Sequence, residues 1–449
     1  MTEEASAQEV PGDRPASQET QERGVLGGRP PGEETRQVVP LLEPRDGMPP
    51  VVVTQEDLAE ATSRLGGGTG PVAVDAERAS GYRYGQRAYL VQLRRAEAGT
   101  VLIDPIACPD LSGLDTALAG AEAVLHAASQ DLPCLAEIGY RPRRLFDTEL
   151  AGRLLGYPRV ALGTLVEEVL GYHLEKGHSA ADWSVRPLRE DMLLYAALDV
   201  EVLVELRDAL ATQLAEQGKT EWAEQEFAAV LAADAPAPRP DPWRRTSGIH
   251  RVQSRRGLAV VRELWLLRDR IAQEIDLSPR RVLPDPAIVE AARTPPAGHM
   301  QLVKIAGFTG RYARRHEKDW LAAIRDARAQ GDSELPDATG GISSGPPPAH
   351  RWAERDPAAA ARLAAARTVI TGLAAEHRLP AENLLSPDTV RRLAWEPPQP
   401  PDSGGIAAAL TASGARAWQV GLTAGLLAAA MAHVEEQDAG PEESAQVEG

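Results

Sequence analysis

The stretch Pro71-Val-Ala-Val-Asp75-Ala-Glu77 leads an apolar run into two acids one residue apart. In an extended chain, positions i and i+2 point to the same face, so this spacing sets Asp75 and Glu77 side by side. Two ionised carboxylates at the end of an apolar strand repel each other unless a cation joins them, and Mg²⁺ or Mn²⁺ prefers oxygen ligands. A solvated strand end is the commoner fate of a lone Asp-x-Glu, so the pair carries weight only in company.

Two later segments supply that company. In Val124-Leu-His126-Ala-Ala-Ser-Gln-Asp131 a short apolar strand gives way to a helix at an acid, which by itself reads equally as a helix cap. In Leu193-Leu-Tyr195-Ala-Ala-Leu-Asp199-Val, Tyr195 and Asp199 stand at i and i+4 on one face of an apolar helix. Taken alone, Asp199 would be a buried, paired acid. Around these segments, from Val51 to about Leu210, strand-like runs at Val72 to Val74, Ala88 to Leu93, Val101 to Ile103 and Ala123 to Leu125 alternate with helical patterns, which predicts an α/β domain.

The 449-residue chain is long enough for two to four domains. Its formal charge of −17 argues against a nucleic-acid partner only if it is spread evenly, and it is not. Residues 1 to 50 hold ten acids against five bases, and residues 435 to 449 hold six acids and no base, so the two ends carry most of the excess. Both ends read as disordered by composition. Cys108 and Cys134 form neither a CxxC pair nor a framework and read as reduced core residues. No run of about 20 apolar residues is evident and the first residues are acidic, so the expectation is a cytoplasmic protein with no membrane contact.

The second half is helical in pattern. Ala235 to Pro242, APAPRPDP, and Gly331 to His350 read as linkers, and the segments that follow, from about Gln253 to Ala329 and from 351 to about 434, carry helical periodicity. Residues 236 to 332 hold nineteen Lys or Arg against eleven Asp or Glu. Arg244, Arg245, Arg255, Arg256, Arg311, Arg314 and Arg315 are therefore candidate phosphate contacts, although solvated helix faces have the same composition. Trp265 falls in the apolar stripe and reads as core. Gly66 to Gly70 lacks a following Gly-Lys-Ser/Thr and reads as a turn, and His126 reads as a supporting or core residue.

Asp75-x-Glu77, then Asp131, then Tyr195-x3-Asp199 together resemble the tyrosine subclass of the DEDD exonuclease superfamily. Tyr89-Leu-Val-Gln92-Leu, Leu145-Phe-Asp147-Thr148 and Asp182-Trp183-Ser-Val-Arg186-Pro187-Leu188 narrow the resemblance to the ribonuclease D family over about residues 51 to 230. Gly257 to Arg270 with Leu277 to Asp285 is similar to the HRDC domain, a small helical nucleic-acid-binding module, and residues 351 to 434 take the position of a second one. Two departures stand out. Arg78 follows the Asp-x-Glu where the family often has an apolar residue, and Gly85 stands where proline is common, which puts the wedge against the terminal base in doubt.

The resemblance implies an α/β exonuclease domain, a ribonuclease H-like mixed sheet flanked by helices, followed by two all-α HRDC-like modules. The boundaries expected are a disordered extension at 1–50, exonuclease at 51–230, linker at 231–250, HRDC at 251–331, linker at 332–350, second module at 351–434 and acidic tail at 435–449. It further implies two divalent metal ions, Mg²⁺ or Mn²⁺, held by Asp75, Glu77, Asp131 and Asp199, with Tyr195 orienting the attacking water. The implied activity is 3′-to-5′ trimming of RNA ends, on transfer RNA precursors or other small structured RNAs, with release of 5′-mononucleotides. No obligate protein partner is expected. A DNA-directed 3′-to-5′ exonuclease acting on single strands and a non-catalytic nucleic-acid-binding scaffold are the alternatives.

Overall fold

Val72, Ala73 and Val74 are fully buried, as a strand covered on both faces requires, and they lie at the centre of the main sheet. The computed structural model describes residues 38–175, 177, 180–234, 239–338 and 345–438. Its strands are β1 (Val39–Leu41), β2 (Val51–Val52), β3 (Thr69–Arg78), β4 (Ala88–Ala96), β5 (Gly99–Ile103), β6 (Ala123–Leu125), β7 (Leu145–Asp147) and β8 (Tyr172–Leu174). Six of them form a mixed sheet in the order β2-β5-β4-β3-β6-β7. β3 pairs antiparallel with β4, setting Asp75 opposite Gln92, and parallel with β6, which in turn pairs parallel with β7. Because β3, β6 and β7 run the same way, their C-terminal ends open on one edge, where Asp75, Glu77, the turn to Asp131, and Asp147 all fall. The helix Glu190–Glu201 packs against β3, β4 and β5 and brings Asp199 to that edge.

Two helical modules follow the sheet in the chain. In the first, the helices Arg255–Glu274, Asp285–Arg293 and Glu317–Ala329 enclose Leu264, Phe308 and Trp320, with Trp265 half-buried against this core. In the second, the helices Pro357–Glu376 and Ala417–Asp438 pack on each other. By length and composition Pro357–Glu376 and Ala417–Val434 are apolar enough to cross a membrane, contrary to the expectation that no such run exists. Alanine is the commonest residue in both, and Leu363, Ile370, Leu427 and Met431 are buried in the shared core.

The chain departs from the expected boundaries in four places. Residues 38–50 are not disordered: β1 pairs with β8, the Arg45 amide donates to Glu201 at 3.2 Å, and the Arg45 guanidinium pairs with Glu205. Residues 1–37 lie outside the described residues. The linker expected at 231–250 holds Trp243, which is buried in the first helical module, while residues 235–238 lie outside the description. The linker expected at 332–350 begins as a strap on that module, with Leu335 in its core; residues 339–344 are not described. The last helix runs to Asp438, past the expected start of the acidic tail, and residues 439–449 lie outside the description.

The second helical module docks on the α/β domain. Trp222 and Trp418 stack with centroids 4.7 Å apart, and Trp418 Nε1 donates to Glu226 at 3.0 Å. Lys219 Nζ donates to the carbonyls of Leu154 at 2.6 Å and His377 at 2.7 Å, joining one helix end from each side. Gly156 has φ +86°, and a Cβ there would lie 2.3 Å from the Arg378 carbonyl oxygen, so glycine is required both by conformation and by clearance.

Candidate active site

Alternation along β3 places Asp75 and Glu77 on one face, and Asp199 reaches them from the helix Glu190–Glu201. One carboxyl oxygen from each of the three lies within 4.8 Å of the others. Gln92, opposite Asp75 on β4, donates from Nε2 to Asp75 Oδ2 at 3.1 Å. The Ala76 amide also donates to Asp75, and the Tyr195 hydroxyl donates to Asp199 from one helical turn earlier. Asp131 occupies the cap position of the helix Leu132–Glu137 without capping it; its carboxylate instead pairs with Arg78 at 3.3 Å. The structure thus brings all five sequence-identified residues to one edge and removes the capping explanation of Asp131.

Burial and mutual repulsion act together here. Glu77 is only 8% exposed, and burial followed by the charges of Asp75, Asp199 and Asp131 pushes its carboxyl up to about 10. Burial and Asp75 push Asp131 up to about 8. Asp75 and Asp199 are raised for the same first cause, burial, and the Tyr195 hydroxyl is raised by burial and by Asp199. Such a group of acids stays ionised at neutral pH only if positive charge enters, and its hard oxygen donors fit a divalent cation. The buried Gln92 Oε1 has no partner, which leaves the amide fixed toward Asp75 by its nitrogen alone.

A second ring of contacts shapes the edge. Asp147 accepts amide hydrogen bonds from Ala127 at 3.1 Å and Ala128 at 2.8 Å as well as from Glu149 and Leu150, so one carboxylate both caps a helix and holds the turn leading to Asp131. Ala127 is forced to φ +58° in that turn. His126 lies 2.9 Å from Thr148 Oγ1, and burial lowers its pKa to about 4, which suits a supporting residue. Arg186 grips Asp104 through Nε at 2.6 Å and Nη2 at 2.9 Å and donates to the Tyr89 carbonyl, tying the loop before the Tyr195 helix to β4 and β5.

The loop leaving β3 is held from outside the domain. Tyr84 hydrogen-bonds Asp269 through its hydroxyl and Asp276 through its amide, both at 3.2 Å, Ser278 donates to the Tyr82 carbonyl, and Arg281 lies 4.1 Å over the Tyr82 ring. These cross-domain contacts have no sequence signal; only the resemblance to an HRDC module placed a domain nearby. Of the candidate phosphate contacts, Arg244 binds Asp241 and the Asp337 carbonyl, Arg255 binds the carbonyls of Asp332, Leu335 and Pro336, and Arg256 binds Gln330 and Asp332. These three hold the strap against their own module, a packing role the charge count cannot distinguish. Arg245, Arg311, Arg314 and Arg315 are exposed, with Arg311 lying against Tyr312. His173 pairs with Glu167, and His178 lies outside the described residues.

A mixed sheet of this order, with a carboxylate cluster at the end of its central strand, fits a metal-dependent nuclease, and the matching family models make it a 3′-to-5′ exonuclease. Family models agree: one described as 3′-5′ exonuclease matches residues 50–215, the HRDC domain matches 257–324, and the 3′ to 5′ exonuclease C-terminal domain matches 345–431. Ribonuclease D of Gluconacetobacter diazotrophicus is 33% identical over 359 residues, 78% of this chain and 87% of its own. A crystal structure of a protein from Bifidobacterium adolescentis is similar with TM-score 0.80 and 37% identity, covering 88% of this chain and 100% of that one. The structure of Escherichia coli RNase D, an exoribonuclease involved in structured RNA processing, gives TM-score 0.59 and 27% identity over 77% of this chain and 89% of that one. The chain belongs to the ribonuclease D family, and its activity is 3′-to-5′ exoribonucleolysis. The family is divalent-metal dependent and acts on RNA.

Proposed function

We propose that this exoribonuclease trims the 3′ ends of transfer RNA precursors and other small structured RNAs in the cytoplasm, releasing 5′-mononucleotides, with Mg²⁺ or Mn²⁺ as its metal. The observation that carries the reading is the convergence of Asp75, Glu77 and Asp199 within 4.8 Å, with Tyr195 bonded to Asp199. Two divalent ions, when bound, supply an activated water and charge relief on the leaving 3′ oxygen. Asp75, Glu77 and Asp199 would hold one ion, and Asp75 with Asp131 the other. Gln92 fixes the Asp75 carboxylate, and the Tyr195 hydroxyl orients water beside Asp199. Arg245, Arg311, Arg314 and Arg315 remain as the exposed cations to follow the RNA backbone. The working units are the exonuclease domain with the segment from Val38 joined to it, an HRDC module that takes in Trp243 and the strap through Asp337, and a second helical module whose last helix runs to Asp438.

Digestion of matched 5′-labelled RNA and DNA oligonucleotides, with Mg²⁺, Mn²⁺ or chelator, tests it. The expected result is a metal-dependent ladder shrinking from the 3′ end, stronger on RNA than DNA and absent in Asp75→Asn. Equal cleavage of DNA, or cleavage surviving chelation, would overturn it.

A further inference from the structure

Arg78 is a cation inside a cluster of acids. In strict alternation it would point away from the face shared by Asp75 and Glu77, but the β3–β4 register shifts between Glu77 and Arg78. Such irregularities re-aim side chains beside active sites. The guanidinium ends 3.3 Å from Asp131, in a pair whose side chains are 25% and 8% exposed. Its charge opposes the repulsion felt by Asp75, Glu77 and Asp131. On the other side of the cluster, Asp199 has the neutral Tyr195 hydroxyl in that place. Among the described residues the cluster is therefore electrostatically lopsided, with a tethered positive charge on the Asp131 flank.

We propose that Arg78 is a built-in counter-cation for the Asp131 flank, which a second divalent ion must displace from Asp131 before it binds between Asp75 and Asp131. This rests on the reading of the carboxylates as metal ligands. Among the described residues no such competitor faces the ion that Glu77 and Asp199 would hold, so the two sites fill with unequal affinity. The guanidinium is a weaker partner than a divalent ion for two carboxylates at once, which lets it yield when metal is abundant and hold the flank together when it is not.

The test is Mn²⁺ titration of the chelator-stripped full chain by calorimetry, with electron paramagnetic resonance to count bound ions, for wild type, Arg78→Met and Arg78→Lys. Wild type fills in two steps. Arg78→Met tightens the weaker step by about tenfold and leaves the tighter step in place. Arg78→Lys keeps the charge and stays near wild type. In EDTA, Arg78→Met melts below wild type, and Mn²⁺ removes the difference. A weaker step that is unchanged or loosened in a folded Arg78→Met protein would overturn the proposal. Failure of folded wild type to bind Mn²⁺ at all would instead overturn the metal-ligand reading, and this inference with it.

Discussion

Gln92 Nε2 donates to Asp75 Oδ2 at 3.1 Å across the β3–β4 pair, from a side chain with no solvent exposure. On the proposed reading Asp75 is a metal ligand, and groups that orient such a ligand typically matter by about 10- to 100-fold. Gln92→Ala is expected to lower Mn²⁺ affinity and kcat within that range while circular dichroism stays native. Unchanged metal affinity would show that the amide only fills space.

Asp75→Asn and Asp199→Asn should each abolish hydrolysis in a folded protein, since a neutral amide is a poor ligand for a hard cation. Tyr195→Phe keeps the acids and loses one hydroxyl, so a fall of roughly 10- to 100-fold is expected. Single-turnover assays at saturating metal separate the two classes. Turnover of Tyr195→Phe equal to wild type would remove the water-orienting role.

Metal-free stability should fall as pH rises. Glu77 and Asp131 bind protons more tightly folded, up to about 10 and about 8, than the ordinary carboxyl range of about 4 in the unfolded chain. Their contribution is complete below the unfolded value and is lost as pH climbs through the folded values. Melting temperature in EDTA is expected to drop as pH rises from about 4 to about 10, and Mn²⁺, which binds the ionised forms, should flatten or reverse that slope. A slope unchanged by Glu77→Gln and by Asp131→Asn would exclude this cause.

The surface arginines should divide by role. Replacing Arg314 and Arg315 by alanine is expected to raise KM and reduce the salt dependence of RNA binding, with kcat for short substrates kept. Arg255→Ala, which frees the carbonyls of Asp332, Leu335 and Pro336, should instead lower thermal stability by about 1 to 3 kcal/mol. Nitrocellulose binding across a salt series and differential scanning calorimetry read the two effects.

The catalytic edge is legible in the sequence because its chemistry is written in local spacing. Asp-x-Glu survives as a pair on one strand face, and Tyr-x3-Asp survives as neighbours on one helix turn. Asp131 needed its two partners to be read at all, since an acid before a helix has a simpler use. What the sequence hides is long-range. Pairing of Val39–Leu41 with Tyr172–Leu174 is invisible beside a Pro- and Glu-rich stretch, because three residues carry too little periodicity to register. The charge count marks Arg255 and Arg311 alike, yet one faces backbone carbonyls and the other solvent.

Gly156 has a further bearing on how this enzyme can be taken apart. Its missing Cβ leaves room for the Arg378 carbonyl, and beside it the Lys219 ammonium sits between two helix ends that belong to different modules. Cutting the chain after the catalytic domain would uncover the Trp222 ring and leave that ammonium with half its acceptors. The nuclease half is thus not a portable part: its outer surface is an inner surface of the whole, and a fragment assayed alone would present a face that the intact protein never shows to solvent.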